Sequence, residues 1–301
     1  MTDRHLSVLP SKAIDPKRTG ISKSTVLAAS FCGRKAYWME NVRTADGARV
    51  QTLMPERVIF GTAVDVSALA LMTWHRDALI DDTNEENLLS VAIELGVDAA
   101  QERDCSEFIG WDDFRKELSL SVFTLNQLLK SGKLPLAGAE FQGLSGESLR
   151  FNDPEFGELV GTPDVLARSD DGRLFIVDVK ASARPKTEND LRSAEMSFYV
   201  YLAMRAMQLD EYPDVGYLVW VRGRKEPRWE MIAGPTGPQH EALGAAHIKS
   251  TRSAVRSLFS TTFNTMMCGS CDWRHAIPGL HEGCDVGQNV TAIKEAASEQ
   301  A

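Results

Sequence analysis

The sequence predicts an α/β fold with a mixed central sheet flanked by helices. Residues 57–75 and 113–130 have the periodic apolar spacing of helices that cover a sheet, with one stripe formed by Phe114, Leu118, Val122, Leu125 and Leu129. Residues 157–182 contain two β-rich runs on either side of a turn signal at 169–172. Helical and strand patterns then alternate toward the C-terminus, which is typical of this class.

The remaining elements follow in chain order. Residues 1–20 are polar and predict a flexible tail, and a capped helix begins at Ser22 or Ser24, with Cys32 near its end. After the two core helices and the hairpin, the pattern predicts a helix at about 188–208, strands at 215–223 and 228–234, and a long helix at about 238–260.

Composition restricts the function classes. The net charge of −9 argues weakly against a nucleic-acid partner, but carboxylates that hold metal ions contribute to that charge. No run reaches the roughly 18 uninterrupted apolar residues of a membrane span, and the N-terminus lacks the apolar region of a secretory signal. A cytoplasmic protein without a membrane partner is therefore expected. Five cysteines in such a chain favour metal binding over a disulfide framework.

A carboxylate and a lysine stand together in the second β-rich run. Strand alternation places Ile176, Asp178 and Lys180 on one face, where a charged pair among apolar residues is costly unless it is paired or metal-bound. The hairpin brings Asp164, which follows Pro163, toward Asp178. Phosphodiester hydrolysis needs such groups: hard oxygen ligands for Mg²⁺ or Mn²⁺, and a cation near the developing charge. A structural ion pair is the alternative.

The order of these residues resembles the signature of the PD-(D/E)XK nucleases. The matching motifs are Gly161-Thr-Pro-Asp164, the hairpin and Asp178-Val179-Lys180. RecB-like members also carry an acidic residue upstream, which Glu140 matches. The resemblance implies a restriction-endonuclease-like core with Asp164, Asp178, Lys180 and Glu140 as catalytic residues. It also implies that Mg²⁺ or Mn²⁺ binds Asp164, Asp178 and the main-chain carbonyl of Val179.

Two positions depart from the RecB-like pattern. The Gln-x-x-x-Tyr element of the family, which contacts DNA, corresponds here to Glu195 and Tyr199. The Gly-x-x-x-His element corresponds to Gly61 and Asp65. Asp65 is a competent hard ligand and is predicted to bind metal in place of the histidine, with a solvated helix position as the alternative.

Four cysteines form a second pattern, with Cys32 early in the chain and Cys268, Cys271 and Cys284 late in it. Four thiolates complete either a zinc site or an iron–sulfur cluster. The arrangement resembles the iron–sulfur subset of RecB-like exonucleases, which includes the AddB nuclease domain and the CRISPR-associated adaptation exonucleases. The resemblance implies a 4Fe–4S cluster that ties the helical N-terminal part to the C-terminus. A Zn²⁺ site that uses histidines between Cys271 and Cys284 is the alternative, and Cys105 fits neither.

Basic residues beside aromatic ones occur twice, at Arg34 and Lys35 and at Arg222 and Arg224. Such segments suit single-stranded DNA, although a solvated helix face and a charged strand end fit them equally well. Together the motifs predict a metal-dependent DNA exonuclease, preferring single-stranded ends, in DNA repair, recombination or phage DNA processing. A structure-specific endonuclease and a catalytically decayed, DNA-binding accessory subunit are the alternatives.

The predicted organisation is a single RecB-like nuclease domain over 21–287, between flexible tails at 1–20 and 288–301. Within it, residues 21–135 form a mainly helical part and residues 136–235 the catalytic sheet core. Residues 236–287 hold the C-terminal helix and the cysteine segment. The expected location is the cytoplasm of a bacterium or of a phage-infected host cell; protein partners are not predicted.

Overall fold

The computed structural model describes residues 6–8, 20–44, 56–81, 83–103, 110–134, 140–144, 148–168, 172–222, 226–256, 271 and 284. The chain forms two compact units. The first unit comprises Met1–Thr52, Arg150–Val160 and Leu243–Ala301, and the second comprises Leu53–Leu149 and Gly161–Ala242. The single domain predicted over 21–287 remains a prediction.

The described strands are β1 (Leu6–Val8), β2 (Ile21–Ser22), β3 (Val42–Thr44), β4 (Glu140–Leu144), β5 (Leu149–Asp153), β6 (Gly157–Gly161), β7 (Val165–Arg168), β8 (Leu174–Ser182), β9 (Asp214–Val221) and β10 (Arg228–Gly234). The described helices are α1 (Lys23–Phe31), α2 (Gly33–Asn41), α3 (Glu56–Arg76), α4 (Glu85–Gln101), α5 (Trp111–Lys130), α6 (Ala194–Ala206) and α7 (Pro238–Arg256), with a 3₁₀ helix at Glu188–Arg192.

A five-stranded mixed sheet forms the centre of the second unit, in the order β10-β9-β8-β7-β4. Strands β8 and β9 are parallel, with Asp178 beside Tyr217, whereas β7 and β8 are antiparallel, with Val165 opposite Val177. The predicted hairpin is present, and Gly172 has a φ of 85°, which favours glycine. The predicted mixed α/β core is confirmed, while the metal cluster that would join the two ends remains a prediction.

Helices α3, α4 and α5 pack on one face of this sheet. The core contains the predicted α5 stripe up to Leu125, and alternate residues Val177 and Val179 of β8 face it. Among the described residues, α3 alone is long and apolar enough to cross a membrane by length and composition. Most of its apolar residues from Ile59 to Met72 lie in this core, as expected of a helix that covers a sheet.

Helix α6 is buried along most of its length in the second unit. The sequence predicts one helix over 188–208, but the structure divides it into the 3₁₀ helix and α6. The break lies at Ser193, whose backbone is extended and whose hydroxyl accepts the N–H of Met196 at 3.2 Å. An N-cap serine satisfies a backbone donor that would otherwise lack a partner, so the chain starts a new helix there.

The first unit contains α1, α2 and a three-stranded sheet in the order β2-β6-β5. Ser22 caps α1 and Cys32 follows its last residue, as predicted, and a second helix, α2, begins at Gly33 after the extended backbone of Cys32. Ala28, Ala29 and Ala36 pack with Ala254 and Val255 of α7 in a small apolar cluster. The C-terminal residues of α7 therefore complete the packing of the N-terminal helices.

Candidate active site

Strand β8 presents Asp178 and Lys180 on the sheet face opposite the α3–α5 core. Asp178 is 0% exposed, and its carboxylate contacts the ammonium of Lys180, whose side chain is 31% exposed. Burying a carboxylate is costly unless a partner compensates for the lost hydration, and the lysine provides this compensation. The pair therefore joins a buried anion to a cation that reaches solvent.

Asp164 lies just before β7, at the position opposite Asp178 in the β7–β8 register. The N–H of Val179 donates a hydrogen bond to Oδ2 of Asp164 at 2.8 Å. The loop that carries Asp164 is held by Tyr199, whose hydroxyl donates to the carbonyl of Thr162 at 2.6 Å. These contacts bring Asp164 to the main chain between Asp178 and Lys180.

Gly161 allows this loop to lie close to α6. A Cβ at Gly161 would lie 2.9 Å from Leu202 Cδ2 and 3.1 Å from Phe198 Cε1. Real Cβ atoms essentially never come within 3.0 Å of another atom, so the side chain of Leu202 would have to shift to admit any residue larger than glycine. The glycine at the start of the signature is thus explained by helix packing.

Glu195 lies inside the second unit, 4% exposed, with its Oε1 3.5 Å from the ammonium of Lys180. Tyr217 donates to Oε2 of Glu195 at 3.2 Å and lies 2.8 Å from the hydroxyl of Ser193. Burial, followed by the charge of Glu195, raises the pKa of Tyr217 far above its usual range, so the phenol stays protonated. Lys180 therefore lies between two carboxylates, Asp178 and Glu195.

The oxygen atoms at this position fit a hard divalent cation. Asp164 and Asp178 provide carboxylates and Val179 provides a carbonyl, the ligand types that Mg²⁺ and Mn²⁺ prefer. Within the described part of the chain, no three His, Cys, Asp or Glu side chains form a metal-binding group. Glu140 lies on β4, paired with Arg168 of β7, and its side chain falls outside the described residues.

A cavity of about 630 Å³ opens beside Lys180 in the second unit. Its lining comprises Arg57, Val58, Gly61, Thr62, Asp65, Lys180, Ala181, Ser182, Ala183 and Arg222. The structure thus brings Asp65 of α3 and Lys180 of β8 to the same cavity. Asp65 is half-buried there rather than on a fully solvated helix face.

Arg222, at the end of β9, is fixed at the wall of this cavity. Its Nε and Nη2 donate to the two carboxylate oxygens of Glu117 at 2.8 and 2.7 Å, and its guanidinium lies 3.9 Å from the ring centre of Phe60. Arg224 falls outside the described residues, and Arg34 and Lys35 lie on α2 in the first unit.

Three of the four predicted cluster ligands are described, and they belong to the first unit. Cys32 lies half-buried between α1 and α2, Cys271 is half-buried and Cys284 is buried. Cys268 falls outside the described residues.

Sequence reasoning missed Tyr217, Glu117 and Arg57. The parallel pairing of β8 with β9 places Tyr217 beside Asp178, and its hydroxyl reaches Glu195 on α6. Glu117 reaches Arg222 across 105 positions of the chain. No local pattern indicates such partners. Only Arg57 could have been found from the sequence, because it lies one turn before Gly61 on the same predicted helix.

Comparison with known proteins identifies the family. The chain is similar to "Crystal structure of SSO0001", with 9% identity, a TM-score of 0.29 and coverage of 77% of this chain and 89% of that chain. It is also similar to "Crystal Structure of LHK-Exo in complex with dAMP", with 10% identity, a TM-score of 0.28 and coverage of 80% and 98%. No curated protein matches the chain. The family model of the PD-(D/E)XK nuclease superfamily matches residues 21–276, and the chain therefore belongs to that superfamily.

Proposed function

We propose that this protein is a metal-dependent exonuclease that hydrolyses DNA from its ends and prefers single strands. Membership in the PD-(D/E)XK superfamily implies a DNA-cleaving hydrolase, and nucleases of this superfamily typically use Mg²⁺ or Mn²⁺. The observation that carries the active-site assignment is the buried Asp178 in contact with Lys180, with Asp164 on the N–H of Val179.

Each residue of the candidate active site has its own role in this proposal. Asp164, Asp178 and the Val179 carbonyl would hold the cation, which supplies an activated water and Lewis-acid stabilisation when bound. Lys180 places its ammonium where it can orient the attacking water or stabilise charge that develops on the phosphate. Glu195 holds Lys180 from the other side, and the neutral phenol of Tyr217 holds Glu195.

The preference for ends and single strands is supported by the resemblance of the four-cysteine pattern to the iron–sulfur exonucleases. A 4Fe–4S cluster on Cys32, Cys268, Cys271 and Cys284 is part of this proposal, with Zn²⁺ as the alternative metal. The proposed setting is DNA repair, recombination or phage DNA processing in the cytoplasm. The presence of Asp164, Asp178 and Lys180 stands against a decayed accessory subunit.

The experiment that tests the function compares end-labelled linear and circular single-stranded DNA. Anaerobically purified protein is assayed with Mg²⁺, with Mn²⁺ and with neither. We expect the linear strand to be degraded only with the metal. Lys180→Ala should lower the rate by roughly 10²- to 10³-fold, as for other groups that stabilise transition-state charge. Lys116→Ala, at an exposed position on α5, is the matched control.

Each result has a distinct meaning. Cleavage of the circular strand would replace the exonuclease with an endonuclease on the same site. Equal activity of wild type and Lys180→Ala would refute the assigned site. Binding of DNA without any cleavage under either metal would favour an accessory subunit.

A further inference from the structure

The lining of the cavity beside Lys180 carries more cationic than anionic side chains, although Asp178 and Glu117, outside the lining, pair with two of the cations. Three cationic side chains, Arg57, Lys180 and Arg222, line it together with one carboxylate, Asp65, whereas the whole chain has a net charge of −9. The hydroxyl-bearing residues Thr62 and Ser182 also line it. Cations and hydroxyls around one cavity are the groups with which proteins contact phosphate.

Arg222 is oriented for such a contact. A guanidinium has five N–H donors, and the pair with Glu117 uses one on Nε and one on Nη2. Those two bonds and the contact with the Phe60 ring fix the guanidinium plane, so little side-chain entropy is lost when a ligand binds. Glu117 is therefore a positioning residue for Arg222.

Arg57 lies in the first turn of α3, a helix of 21 residues. Its side chain is exposed and reaches the same cavity. The N-terminal end of a helix carries partial positive charge, which adds to the charge of the arginine at this position. Arg57 and Arg222 thus contribute cations from two different elements, a helix and a strand end.

The cavity also has the volume of a small ligand. Its volume of about 630 Å³ is within the range of roughly 300–1,000 Å³ that encloses small molecules. One nucleotide unit of a strand fits such a space. The cavity shares Lys180 with the candidate active site, so a strand bound in the cavity lies close to the Lys180 ammonium.

We propose that this cavity is a phosphate-binding subsite for one DNA strand, in which Arg57 and Arg222 contact phosphate next to the bond that is cleaved. The inference rests on the proposed nuclease function and deepens it. The phosphate belongs either to the internal backbone or to the terminal monoester of the strand, and the two sources are chemically alike at the cavity.

Binding is measured apart from cleavage, by fluorescence anisotropy of a labelled single-stranded oligonucleotide in buffer without divalent cations. The full-length protein is compared with Arg57→Gln and Arg222→Lys, the second of which keeps the charge but loses the planar fork. Arg76→Gln, at the exposed opposite end of α3, is the control. Each oligonucleotide is tested over a range of salt concentrations, with and without a 5′-phosphate.

We expect Arg57→Gln to weaken binding several-fold and to reduce the slope of log K against log salt by about 0.7, the value for one phosphate on a single strand. Arg222→Lys should also weaken binding, and Arg76→Gln should change neither the affinity nor the slope. Equal effects on both oligonucleotides assign internal phosphate, and an effect on the phosphorylated one alone assigns the terminal phosphate.

Unchanged affinity and slope in both Arg57→Gln and Arg222→Lys would overturn the subsite even if the protein cleaves DNA. Conversely, Arg57-dependent binding by a protein that cleaves neither DNA form would refute the nuclease proposal, and the cavity would then bind DNA phosphate with no cleaved bond beside it.

Discussion

At the scale of single residues, the candidate site depends on hydrogen bonds that hold a short loop. Tyr199 reaches from α6 to the carbonyl of Thr162, two residues before Asp164. The sequence resemblance assigns Tyr199 a contact with DNA, whereas the structure gives its hydroxyl a protein partner. Tyr199 is fully buried, so its effect on the reaction would pass through the position of Asp164.

Tyr199→Phe tests this role. Removing the hydroxyl deprives the Thr162 carbonyl of a donor and should cost about 1 kcal/mol in the free energy of unfolding. We also expect slower cleavage at saturating DNA, because Asp164 loses its support, with DNA affinity little changed. Urea unfolding and metal-dependent cleavage measure the two effects.

Tyr212→Phe is the matched control. Its hydroxyl donates to Glu241 at 2.7 Å, so it loses a comparable hydrogen bond away from the candidate site. The two variants should lose a similar free energy of unfolding, but only Tyr199→Phe should cleave DNA more slowly. A parallel loss of rate in both would mean that general destabilisation explains the effect.

At the scale of elements, local sequence patterns predicted which face of a strand a side chain lies on better than they predicted which strands pair. The period of two correctly placed Asp178 and Lys180 opposite Val177 and Val179, because strand alternation is a property of the strand itself. The β-rich run over 157–168 was expected to be one arm of the hairpin. The structure instead divides it at Pro163 and Asp164, with β6 in one sheet and β7 in another. Which sheet a strand joins depends on distant pairing, which no local pattern carries.

Helix α4 was not predicted, and its packing explains part of the difficulty. Gly96 stands in its middle, where glycine disfavours a helix by local propensity. The structure shows why glycine occurs there: an added Cβ would collide with Ser67 Oγ and lie 2.8 Å from the carbonyl of Ala63, both on α3. Close packing of two helices has overridden the local preference.

Gly96→Ala should therefore destabilise the protein by about 1–3 kcal/mol, since the helices have to separate to admit the methyl group. Gly61→Ala on α3 is the matched control, because a Cβ there meets no atom within 4 Å. That variant should gain about 0.5–1 kcal/mol from helix propensity. Thermal or urea unfolding measures the change in the free energy of unfolding for each variant. If both variants were stabilised, or both destabilised, the packing argument would be contradicted.

At the scale of the whole molecule, the chain order of the two units is interleaved. The first unit is assembled from three separate stretches of sequence, and the second unit from the two stretches between them. The three described cysteines of the proposed cluster, Cys32, Cys271 and Cys284, belong to the first unit, and the proposed catalytic residues Asp164, Asp178 and Lys180 belong to the second. Neither unit corresponds to a continuous fragment of the sequence.

Cys32→Ala tests the cluster proposal. We expect loss of bound iron and of the visible absorbance of the anaerobically purified protein, with a lower midpoint of thermal unfolding, because metal binding contributes folding free energy. Cys105→Ala, which removes a cysteine outside the proposed ligand set, should retain both. Stoichiometric zinc in the wild type would establish the alternative metal, and unchanged iron in Cys32→Ala would exclude Cys32 as a ligand.

The contact between the N-terminal helices and α7 also has a consequence during synthesis. The side-chain amide of Asn41 donates to the carbonyl of Val255, 214 positions later in the chain. At about 5–20 residues per second, a ribosome needs roughly 10–40 s to make the intervening polypeptide. Throughout that interval the apolar surfaces of α1 and α2 lack their partners on α7, and they are available to chaperones on the nascent chain.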